Sequence, residues 1–98
     1  MNPRTVVFLG YYSSEQYQIL LKSATDRKKL DDKWEDWLVN FIKAKAMLEK
    51  EFTVEEYHID VEKMNEYFKS NNLKNNGKNR AMYTSTEGKR NYNERLNN

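Results

Sequence analysis

Glu56, His58 and Asp60 stand at two-residue steps in the segment 53–61, TVEEYHIDV, and are the residues of this chain best suited to chemistry. In an extended strand that spacing puts the three side chains on one face. A carboxylate beside an imidazole can orient it as a general base. The same residues equally make a solvated strand face whose last member, Asp60, caps the helix that follows. His58 is the only histidine and the chain has no cysteine. No nucleophile or second imidazole stands near it, so the expectation is a wet face without catalysis, and no cofactor or metal ligand is assigned.

Three other groupings carry a chemical and a structural reading. Asp32 and Asp36 lie one helical turn apart beside Asp31 and Glu35, a spacing that suits a hard cation. Acids also gather in a first helical turn because the macrodipole favours them there. Ser13 and Ser14 open a helix after a strand, where backbone amides can hold phosphate, but the repeated glycines of a phosphate loop are missing and Ser13 suits an N-cap. Trp34 and Trp37 with Tyr11, Tyr12 and Tyr17 would line a pocket for a flat ligand, yet aromatics at helical spacing on an apolar stripe suit a core.

Charge is unevenly spread. Residues 31–68 carry eleven acidic and five basic side chains, and residues 69–98 carry two acidic against seven basic. The basic third, rich in asparagine, interleaves Lys78, Arg80, Lys89, Arg90 and Arg95 with Tyr83 and Tyr92. Lysine and arginine would neutralise phosphates while tyrosines stack on unpaired bases. These seven are the candidate contacts to nucleic acid or to a protein partner, although no known nucleic-acid-binding signature accompanies them. The competing reading is a solvated tail, or one docked on the acidic middle of its own chain or of a partner.

The elements that must position these residues are organised around the segment 31–52. Trp34, Trp37, Leu38, Phe41, Ile42, Leu48 and Phe52 recur at three- and four-residue steps, the mark of one helix face. Asp36, Asn40, Lys43 and Lys50 occupy the opposite face. Val39, Ala46 and Met47 fall toward the polar side, either as scattered surface residues or as a second contact surface. Ahead of this helix, residues 5–12 (TVVFLGYY) read as a strand buried on both faces. Ser13 and Gln16 then have capping-box spacing, with Tyr12 and Tyr17 as a hydrophobic staple, and a first helix bears Tyr17, Leu20, Leu21 and Ala24. A short basic-to-acidic connection implies a helical hairpin. After the second strand, Val61, Met64, Tyr67 and Phe68 form a third helix ending at Ser70-Asn71-Asn72, where an asparagine takes a left-handed conformation. A turn follows at 75–77, a short helix at 79–85, and a basic, asparagine-rich tail at 86–98.

The expected fold is α+β in the order β-α-α-β-α: a helical hairpin and a third helix on a small, two-stranded antiparallel sheet. Residues 1–85 form the single domain. The first strand has no charge between Arg4 and Glu15 and is expected inside a sheet, while the acidic second strand suits an edge. A two-stranded sheet is marginal in water, so a second copy is expected to complete it, by strand pairing or by packing its helices over the sheet. With no phosphate loop or serine-elbow motif, the sequence points to a small, non-enzymatic, cytoplasmic protein of bacterial or phage type. It would act by protein–protein interaction as a homodimer with a further, unidentified protein partner. Binding to nucleic acid through the basic third is the alternative, and a small enzyme built on His58 comes third. No membrane segment is expected.

Overall fold

The computed structural model describes residues 4–97. Residues 1–3 and Asn98, the outer ends of the expected domain and tail, lie outside it. Strand β1 spans Val6–Tyr11 and is followed by helix α1 (Ser14–Ser23), a 3-10 turn (Arg27–Lys29) and helix α2 (Trp34–Leu48). Strand β2 (Thr53–His58), helix α3 (Val61–Ser70) and helix α4 (Gly77–Leu96) complete the chain.

The caps form where the residue types require them. Ser13 accepts from the Gln16 N–H at 3.1 Å, and Asp60 accepts from the Lys63 N–H at 3.2 Å. Gln16 supplies no reciprocal bond to Ser13. Its side-chain oxygen accepts instead from the Val61 N–H at 2.6 Å, so one residue of α1 satisfies the N-terminus of α3. Asn72 closes α3 with φ of 54°, the left-handed conformation expected of an asparagine there.

The strands are parallel, paired from Val6 with Thr53 through to Tyr11 with His58, which corrects the expected antiparallel sheet. Two helices between the strands, joined as a hairpin by a short connection, would return the chain to the side it left and favour antiparallel pairing. The connection actually occupies residues 24–33 and includes its own 3-10 turn, so it uncouples the directions of α1 and α2. The order is β-α-α-β-α-α. The extra helix absorbs the expected tail: α4 runs from Gly77 to Leu96, where a short helix ending at Ser85 was expected.

In this register Val6, Phe8 and Gly10 share one face of the sheet with Thr53, Glu55 and Tyr57, and α4 lies against it. Val7, Leu9 and Tyr11 share the other face with Val54, Glu56 and His58, toward α2. Tyr11 makes edge contacts with Trp37 and Phe41 there. The densest core lies where α1 and α3 meet, around Tyr17, Leu20, Val61 and Met64. Trp34 and Trp37 are half-buried and pack on this core. The Trp34 indole donates to the Tyr12 carbonyl at 2.8 Å, and the Tyr17 hydroxyl donates to the Asp31 carbonyl at 2.6 Å.

Candidate functional site

The general-base candidate does not assemble. His58 is 71% exposed at its side chain, and its Nε2 lies 3.6 Å from Glu56 Oε1. The other Glu56 oxygen accepts from Lys45 Nζ at 2.7 Å. That contact holds the Glu56 carboxyl below its ordinary range, against the desolvation that would raise it. Asp60 is spent on its cap. The ring of Tyr11 lies 4.7 Å from that of His58, which gives the imidazole an aromatic neighbour. Among the described residues no cluster of three or more histidine, cysteine, aspartate or glutamate side chains is placed to hold a metal ion. Asp32 pairs with Arg27 at 2.8 Å.

The candidate contacts of the basic third are dispersed by the same helix that orders them. Arg80 is buried. Its two terminal nitrogens donate to both oxygens of Asp26 at 2.8 Å, and Nη1 also donates to Asn75. The pair, with side-chain exposures of 9% and 15%, ties α4 to the turn after α1. It holds the Asp26 carboxyl well below its usual value. Tyr83 is buried against Tyr67 and Phe68. Arg90 pairs with Glu87 and Glu94, and Arg95 reaches Glu55 at 3.8 Å while lying over Tyr92. Tyr92 packs edge-on against Phe8. Lys78 and Lys89 are exposed.

Two of the surfaces left open by internal packing bear on partners. The first is the outer face of α2. Val39 and Ile42 are 49% and 57% exposed, and Ala46 is exposed beside them. Ile42 was expected on the buried stripe. Phe41, expected on the same stripe, is buried, and the one-residue step turns Ile42 about 100° away from it.

The second surface is the free edge of β1. The Thr5 and Tyr11 carbonyls accept from Thr53 and Ile59 of the β2 segment at 3.0 and 2.9 Å. Alternation along the strand therefore turns the N–H and C=O groups of Val6, Phe8 and Gly10 the opposite way. With only two strands, these groups meet no partner among the described residues. The expected interior strand is thus an edge within its own chain. A depression of about 210 Å³ opens between this edge and α4, with Tyr12 and Arg80 at one end and Ala81, Thr84 and Ser85 along the helix wall. Burial pushes the Tyr12 hydroxyl up to about 12, so it stays a neutral group. A second, shallower depression shares Ser85 and continues past Lys89, Arg90 and Asn93. No acidic side chain lines either one.

Sequence reasoning missed this second surface because residues 86–98 read as a tail. The four-residue spacing of Ala81, Ser85 and Lys89 was the available signal that they share one helical wall. In comparisons with known proteins, no family model matches the chain, and no curated protein or solved structure matches it.

Proposed function

We propose that this is a non-enzymatic protein that acts by protein–protein interaction as a homodimer joined through the outer faces of its α2 helices. The observation that carries the reading is the apolar stripe of Val39, Ile42 and Ala46 on an exposed helix face. Charge supports a second copy as the occupant. The exposed surface of α2 has Glu35 and Asp36 in its first turn, Lys43 toward its end and Lys50 just beyond it. Two such helices packed antiparallel about a two-fold axis near Ile42 bring Val39 opposite Ala46, and Glu35 opposite the partner's Lys50. Like residues meet their complements, as an isologous interface requires, and antiparallel helices also oppose their dipoles favourably.

One 15-residue helix offers little area, so the dimer belongs at the weak end of specific interfaces and should depend on concentration in the micromolar range. Sedimentation at rising concentration should show mass moving from 11.8 kDa toward twice that value. Ile42→Glu, at a site too exposed to threaten folding, should hold the protein at the monomer mass. A wild-type chain that stays monomeric, or an Ile42→Glu chain that still doubles, would refute the α2 dimer.

Nucleic-acid binding is the less supported reading, because Arg80, Arg90 and Arg95 are engaged by acids of their own chain and Tyr83 is buried.

A further inference from the structure

We infer that the groove between the open edge of β1 and helix α4 binds an extended peptide of another protein, one that alternates acidic and apolar side chains. The inference rests on the protein–protein reading above but uses a different surface.

The edge offers alternating donors and acceptors. Phe8 and Gly10, and Val6 beyond them, present N–H and C=O groups that a strand of another chain can pair with one for one. Side chains of an added strand would point alternately to the two faces of the sheet. On the α4 side they meet the groove lined by Tyr12, Ala81, Thr84 and Ser85, where Arg80 is already neutralised by Asp26, and one helical turn beyond Ser85 the exposed Lys89, which makes no ion pair among the described residues. On the other side they meet the row of Val7 and Leu9. The first face calls for carboxylates and the second for branched apolar residues.

The same charges argue against two other occupants. A second copy pairing β1 with β1 about a two-fold axis would bring together two α4 walls that each bear the exposed Lys89, and like charge across an interface is costly. The α2 face is matched to itself and the β1 edge is not. A nucleic-acid backbone would meet the basic residues, but phosphates only accept hydrogen bonds, so the Phe8 and Gly10 carbonyls would lose water without gaining a donor.

The test uses a blocked hexapeptide, (Val-Glu)₃, added to the full-length protein while backbone amide signals are followed by NMR. The amides of Phe8, Gly10, Ala81 and Ser85 should shift. The (Val-Lys)₃ peptide should bind roughly tenfold more weakly or worse, as should the glutamate peptide when the exposed Lys89 is changed to Glu. A version of (Val-Glu)₃ with alternate amides N-methylated should not bind. The inference falls if Phe8 and Gly10 do not move, or if the N-methylated peptide binds as well, since charge alone would then explain capture. It falls equally if oligothymidylate shifts the same amides as strongly, or if those amides shift with protein concentration alone, which would give the edge to a second copy. Because signals at β1 are read apart from those at Val39 and Ile42, failure here is distinguishable from failure of the α2 dimer.

Discussion

Gly88 sets how closely α4 lies against β1, and therefore how wide the groove beside that strand is. A Cβ added there would stand 2.8 Å from both Cγ and Cδ1 of Phe8 and 3.0 Å from its Cβ. Cβ is fixed by the backbone, and Cγ and Cδ1 can leave only by a χ1 change that Tyr92, packed edge-on against the same ring, opposes. Replacing a helical glycine by alanine ordinarily stabilises a helix by about 1 kcal/mol. Overpacking of this kind costs about 2–3 kcal/mol. The clash wins, and Gly88→Ala should destabilise the protein by about 1–2 kcal/mol. For a chain of this size that lowers the melting temperature by roughly 5–15 °C. Thermal unfolding followed by far-UV circular dichroism gives the number, and a double-mutant cycle gives the cause. In a Phe8→Ala background the two atoms at 2.8 Å are gone and only the Cβ at 3.0 Å remains, so the same Gly88→Ala change should cost at least about 1 kcal/mol less than in the wild type. If Gly88→Ala raises the melting temperature in the wild-type background, the close approach of α4 to β1 is wrong, and the groove described above is wrong with it.

Two further predictions concern pH. Asp26 is held below its ordinary value of 3.8, first by its side-chain hydrogen bonds to Arg80. A depressed carboxyl contributes stability that is present above the unfolded value and lost as pH falls through the folded one. Acid should therefore loosen the 24–33 connection from α4 below about pH 4. Asp26→Asn, which leaves the Arg80 charge buried without its partner, should cost about 3 kcal/mol at neutral pH and flatten that acid limb in urea titrations. At the alkaline end, burial pushes both Tyr12 and Tyr83 up to about 12. The neutral forms stabilise the fold fully below the unfolded value near 10, and that stability is lost as pH rises toward 12. Ultraviolet titration should show these phenols ionising last and together with unfolding. Ionisation of all seven tyrosines near pH 10 in a still-folded chain would contradict their burial.

What was legible in the sequence follows from how local each signal is. Ser13, Asp60 and Asn72 act on backbone groups within a few residues, and each is found in the conformation its chemistry demands. The direction of β2 depends instead on the whole of residues 12–52. A count of reversals fails once the connection between the helices has ten residues of its own. A correct signal was nonetheless present. The unbroken apolar run of β1 is the pattern of a parallel strand covered on both faces, and helices between strands are the ordinary crossover of a parallel pair. The run therefore implies the direction of the strand pair as well as the burial of the strand.

The basic third shows why charge patterns are poor guides to surfaces until the helix phase is known. Listed in order, Lys78, Arg80, Lys89, Arg90 and Arg95 look like one patch. Wound into α4, they diverge: Arg80 turns inward to Asp26, Arg90 and Arg95 toward acids, and Lys89 stays exposed one turn beyond Ser85. The uncharged strand escapes attention for the opposite reason, since nothing in VVFLGY marks a site until its outer edge is found without a neighbouring strand among the described residues. A strand edge without charged or bulged protection invites pairing. On the reading proposed here, protection against self-pairing is supplied across the groove by another element, through Lys89 of α4. Negative charge removes that barrier, so the device that keeps two copies apart at this edge is the one that would admit an acidic strand.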